Sequence, residues 1–118
     1  MIPPNVGAPK SLAITYPGAE EMVRKQLVYL VHVPASEQAE KRIVPGNRLM
    51  VTFRGEVVGE GQAILVEPTT LEKLSPYDAM QAGCESLEAL QKHVLATVLT
   101  GAKKPKETPF VKILYRWL

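Results

Sequence analysis

A single cysteine, Cys84, stands in the 118-residue sequence. One thiol excludes an internal disulfide framework and any multi-cysteine zinc site. The two histidines, His32 and His93, have no acidic partner at ligand spacing, so no metal centre is expected. No cofactor motif is present either. The glycines of "RGEVVGEG" (54–61) lack the Lys-Ser/Thr and the strand-to-helix setting of a phosphate loop. No apolar run approaches the roughly 18 residues that span a bilayer. The opening "MIPPNVGAPK" has no basic n-region followed by an apolar stretch. No membrane partner is expected, and a reduced, cytoplasmic setting fits. Neither sign of charge dominates. Lys and Arg number 14 against 12 Asp and Glu, a net +2, which argues for nucleic acid only where cations cluster locally.

The residues that are present describe an ordinary globular chain, 46% apolar and 22% charged. The length gives one domain over 11–118 with one modest core, preceded by a flexible, proline-rich arm over 1–10. "SLAITY" (11–16) reads as a strand ended by Pro17-Gly18, and "AEEMVRKQ" (19–26) as a short helix with acids first and bases last. "LVYLVHV" (27–33) is apolar on both parities, as in a strand buried on both faces. "PASEQAEKRIVPGN" (34–47) reads as a long polar loop that orders only on binding. Arg54-Gly55 separates "RLMVTF" (48–53) from "EVVGEGQAILVE" (56–67), which predicts a hairpin. Gly59 and Gly61 on one face of the return strand predict a bulge or bend.

The stretch "LSPYDAMQAGCESLEALQKHVL" (74–95) starts a helix, stops it and starts another. Thr69 with Glu72, and Ser75 with Pro76 and Asp78, are helix-start signatures. Gly83 is a stop. Ser86 then caps a helix over about 87–99, with Leu87, Leu90, Val94, Leu95, Val98 and Leu99 on one face. A basic loop (100–109) leads to a last strand, "FVKILYRWL" (110–118). The class is α+β. The helices form a crossover that caps a sheet or barrel and returns the chain to a closing strand.

Three segments carry a resemblance: "VPGNRLMVTFRGEVVGEGQAILVE", "LEKLSPYDAMQAGCESLEALQKHV" and "PFVKILYRWL". Together, over about 44–118, they resemble the ASCH domain family of PUA-like barrels. The resemblance implies a small mixed barrel of five to six strands, with a short N-terminal helix and a helical crossover before the closing strand. It also implies RNA binding in a cleft between barrel and helices. Some bacterial members look like amidohydrolases of acylated cytidines that use a lysine, a threonine and a glutamate. Matched to the family's Gly-x-Lys-x-x-Thr stretch, Lys25 holds the lysine position, but Val28 and Ala82 hold the threonine and glutamate positions. Valine cannot attack a carbonyl and alanine cannot move a proton. No catalytic residue is assigned.

The candidate RNA contacts are therefore Lys25, His32, Arg42, Arg48 and Arg54. Each has a plainer reading. Lys25 suits a helix C-terminus, His32 a satisfied core position, and the arginines solvated loops. Tyr16, Tyr29 and Tyr77 could stack on unpaired bases, although core packing explains Tyr29 equally well. Cys84 reads as a small buried thiol and His93 as a partly exposed helix residue. RNA is the expected partner. The alternatives are a small hydrolase of RNA or a modified nucleoside, needing His32 beside Lys25, and a protein-interaction module with an exposed apolar patch.

Overall fold

The computed structural model describes residues 8–118. The arm expected over 1–10 lies outside them except for its last positions, of which Lys10 already belongs to a strand. Five strands form one sheet: β1 (Lys10–Ile14), β2 (Leu30–Pro34), β3 (Arg48–Phe53), β4 (Glu56–Thr69) and β5 (Phe110–Trp117). Their order is β1-β3-β4-β5-β2. Only β1 and β3 run parallel; the other neighbours are antiparallel. The sheet curls into a half-barrel, so β1 and β2 approach each other across a seam with no ladder between them. The final strand does not close the barrel at its edge. It lies inside the sheet, paired with both β4 and β2.

The hairpin forms as its turn residues dictate. Arg54 and Gly55 both take positive φ, 52° and 81°, the pattern whose twist matches two antiparallel strands. In β4, Val51 pairs with Gly59 but Thr52 pairs with Val57, so Val58 is the extra residue of a bulge. The two glycines beside it have a steric role. Tyr115 and Trp117 of β5 meet edge to face, centroids 5.5 Å apart, against the bare stretch of β4. A Cβ on Gly61 would lie 3.0 Å from the Arg116 carbonyl oxygen, and one on Gly59 2.9 Å from the Trp117 ring. The indole N–H donates to the Val28 carbonyl at 2.9 Å and fixes the ring there.

Helix boundaries follow local hydrogen bonding. A 3-10 turn, Pro17–Ala19, runs into α1 (Glu20–Arg24). Gln26, at φ 56°, ends α1, with Leu27 N–H bonded to the Met22 carbonyl and Gln26 N–H to that of Val23. That C-terminal motif occupies the backbone through Leu27, so β2 starts at Leu30 rather than at 27. The loop expected over 34–47 contains a helix, α2 (Ala35–Lys41). Pro34 precedes it, Ala, Glu, Gln and Lys favour it, Glu37 pairs with Lys41 at 3.3 Å, and Arg42 ends it at φ 53°. It buries no residue, so no apolar stripe announces it. Thr69 does not cap a helix. It pairs with Phe110 as the buried last residue of β4, and the 3-10 turn Leu71–Lys73 follows without a side-chain cap.

The crossover otherwise matches its signals. Ser75 and Asp78 form a reciprocal capping box on α3 (Pro76–Gln81). Gly83 is left-handed at φ 80°. Ser86 caps α4 (Leu87–His93), which continues as a π-helical turn, Val94–Val98. Two cores result. The barrel core joins residues such as Leu12, Val31, Leu49, Val51 and Ile113, with Ala19 and Val23 from the α1 region. The second lies between α3, α4 and the π turn, with Leu90, Val94 and Phe110 at its centre. Tyr16 packs against both.

The close approach on β4 generates a stability test. Gly61→Val pushes a side chain against main chain and is expected to cost about 1–3 kcal/mol. Gly59→Ala meets only a ring edge and the Gln26 side chain, and is expected to cost less. Urea denaturation of both variants checks the order.

Candidate functional site

The seam holds a crevice. The end of β1 (Ile14, Thr15, Tyr16) forms one wall and β2 (Leu30, Val31, His32) another, and the crossover covers them with Ala82, Cys84, Leu90 and His93. Its volume is about 20 Å³, room for a single water.

His32 owes its place to the alternation of β2. Val31 and Val33 face the barrel core, while His32 lies against Phe110 of the helical core, ring centroids 5.7 Å apart. It is 8% exposed, and its Nε2 is buried with no hydrogen-bond partner among the described residues. Burial drives its pKa down to about 4, with Lys112 and His93 adding to the effect and Asp78 opposing it. The ring is therefore neutral at pH 7. His93 is also shifted down, by desolvation. Its Nε2 lies 2.8 Å from Thr15 Oγ1, and Tyr16 meets the imidazole edge to face at 5.3 Å.

Tyr16 donates its hydroxyl hydrogen to Glu85 Oε2. That bond pushes the phenol up to about 12 and holds the Glu85 carboxyl below its usual range. Cys84, between Gly83 and Glu85, is 8% exposed. Burial first, and the Glu85 charge second, push its thiol up to about 12. A thiol held protonated is no nucleophile at neutral pH. Among the described residues no three His, Cys, Asp or Glu side chains converge as metal ligands. The crevice can accept or donate hydrogen bonds through neutral groups and can stack a ring on Tyr16. No lysine or arginine lines it.

The five residues expected from sequence do not converge. His32 is in the crevice. Arg54, exposed on the hairpin, pairs with Glu20 at 3.1 Å and stacks over Phe53, 4.9 Å from the ring centroid. It lines two shallow grooves. One, about 270 Å³, includes Thr15, Pro17 and Phe53; the other, about 370 Å³, includes Glu20, Val23 and Arg24. Ile14 and Thr15 line both the crevice and the smaller of these grooves. Lys25 is exposed at the C-cap of α1, next to Arg24. Arg48 pairs with Glu60 at the far end of β3, roughly 20 Å from Arg54 by strand rise. Arg42 caps α2, its carbonyl accepting a bond from Lys10 Nζ at 2.7 Å. Sequence reasoning missed Thr15, Cys84 and His93 as neighbours of His32, and Glu85 as the partner of Tyr16. The one available signal is that His93 lies three residues after the apolar Leu90 and so shares its helix face.

No protein-family model matches the sequence. No curated protein matches it either. Solved structures do match. The ASCH domain from Lactobacillus crispatus is 13% identical with a TM-score of 0.60, over 84% of this chain and 69% of that one. A protein of the family DUF984 from Enterococcus faecalis is 14% identical with a TM-score of 0.54, over 93% and 80%. The chain thus has the fold of an ASCH domain, and the likeness extends beyond the residues that carried the sequence resemblance.

The neutral, buried His32 makes stability depend on pH. Its folded pKa lies below the unfolded value of about 6.5, so the unfolded state takes up the proton first as pH falls. Stability is full above about 6.5 and declines toward 4, by roughly 3 kcal/mol from this group. Urea denaturation across that range is expected to show the slope in the native chain and a much flatter one in His32→Phe. Equal slopes would remove His32 as the cause.

Proposed function

We propose, from the ASCH-domain fold, that the protein is an RNA-binding module without chemistry of its own. Single-stranded RNA lies along the surface from α1 and the hairpin to the β1–β2 crevice. Lys25 and Arg54 meet phosphates, and His32 meets a base edge at the seam. Arg42 and Arg48, at the other end of β3, belong to a secondary contact region. The observation that carries this reading is a buried His32 whose Nε2 has no partner among the described residues, in a crevice that shares Thr15 with the groove beside Arg54. It matches the division of labour in nucleic-acid recognition, where cations on phosphate set position and neutral groups on base edges set specificity. No described helix is long and apolar enough to cross a membrane. We place the protein in the cytoplasm, in keeping with its lone thiol.

The non-catalytic reading is supported from the motif that resembles the amidohydrolase trio. Val28 and Ala82, at the threonine and glutamate positions of that motif, are both buried and apolar.

The arginines on the path already hold exposed carboxylates: Arg54 pairs with Glu20, and Arg24 with Glu20 and Glu21. Such pairs are weak enough to exchange for phosphate. Two or three phosphate contacts on a single strand give a log–log salt slope of about −2. Anisotropy with short single-stranded RNA at several salt concentrations is expected to return that slope, with the RNA intact on a gel. Arg54→Glu should weaken binding roughly 5–10-fold and Arg48→Glu less than about 2-fold. Absence of binding at low salt, or equal losses for the two variants, would overturn the reading.

A further inference from the structure

A crevice of about 20 Å³ admits a water and not a base. Sites for small molecules run to roughly 300 Å³ and more. If RNA reaches His32, the seam has to open. The contacts across it show where. Two side-chain hydrogen bonds join the end of β1 to the crossover, Tyr16 to Glu85 and Thr15 to His93. Thr15 and Glu85 are exposed, so neither bond is buried in a core. Tyr16 is the side chain that packs against both cores.

Two further features fit a part that moves. The Tyr16 ring lies over Gly18, where an added Cβ would stand 2.7 Å from ring Cε2, so the ring position depends on the missing side chain. On the crossover side, the helix changes to a π-helical turn directly after His93. Such turns interrupt the regular ladder and recur at functional sites.

We propose that Tyr16–Glu85 and Thr15–His93 form a latch that holds the α3–α4 joint closed over His32, and that RNA enters the crevice in the unlatched state. The entry role rests on the RNA-binding reading; the latch itself does not. A binder whose competent state is a minor population binds more weakly by that fraction. Breaking the latch while keeping the rings therefore tightens binding.

Cys84 reports opening without RNA. It is the only cysteine, it lines the crevice, and it is shielded in the closed state. The experiment follows the reaction of the full chain with N-ethylmaleimide at one pH, comparing the native protein with Tyr16→Phe, Thr15→Val, their double variant and Gly18→Ala. Glu85 is left in place because its charge acts on the thiol directly. Urea midpoints identify any variant that unfolds globally, and Thr15→Val, at an exposed position, keeps the test decisive if the Tyr16 change destabilises the fold. The expected result is a thiol reaction about 5–20-fold faster in the double variant, with single-stranded RNA bound about 3–10-fold tighter. A Cys84 rate equal to the native one overturns the latch. A faster thiol with unchanged RNA affinity leaves the latch standing and overturns its part in RNA entry. If the native chain binds no RNA at all, the functional reading fails, and the thiol rates still decide the latch.

Discussion

The unpaired seam between β1 and β2 is the constraint on which the rest of the molecule depends. A curled sheet of five strands brings its two terminal strands face to face without joining them. Unpaired strand edges expose backbone groups that need water, a ladder or a cover. The chain answers with the crossover between β4 and β5. It lays α3, α4 and the π turn over the outer face of β2, and their apolar residues form a second core there. A backbone bond ties that layer down: Tyr29 N–H donates to the Gln81 carbonyl at 2.8 Å, and the Tyr29 carbonyl in turn accepts from Tyr115 N–H of β5 at 3.0 Å. The crevice is what remains where this cover meets β1.

The same constraint explains which features were legible in the sequence. Features decided within a few residues were readable: the Arg54-Gly55 turn, the Ser75–Asp78 capping box, the left-handed Gly83 and the last strand. Gly59 and Gly61 could be read as an irregular strand, but Tyr115 and Trp117 as the rings that fill the space could not. Helix α2 was hidden because it buries nothing and so lacks the apolar period that marks a helix. The start of β2 was misplaced because a C-terminal motif runs through Leu27. The site was the least legible part. Thr15 and His93 are 78 residues apart, and Tyr16 and Glu85 are 69 apart. Their meeting depends on how the crossover seats on the seam, which no local pattern encodes.

Charge is divided in a way that composition cannot show. A net +2 suggests no strong partner of either sign. In the fold, the arginines near the candidate path sit outside the crevice, paired with exposed carboxylates, while both imidazoles are shifted toward their neutral forms. A ligand that brings phosphates to the rim and a neutral ring to the seam meets suitable chemistry at both places. A ligand that brings a carboxylate into the crevice meets no cation there.

His32 brings these threads together. Phenylalanine at this position would pack against Phe110, leave no ring nitrogen to desolvate and remove a group that weakens the fold in acid. Histidine keeps a polar atom that finds no partner among the described residues. Buried polar groups left without protein partners carry a free-energy cost and concentrate where a water or ligand completes them. The same neutral nitrogen can be satisfied by one water in a closed crevice or by a base edge in an open one. Across the seam, two side-chain hydrogen bonds at its exposed rim stand in place of a continuous ladder. A fully closed barrel would pair the backbones of β1 and β2; the open seam leaves that ladder unmade, and the crevice that His32 lines lies beside it.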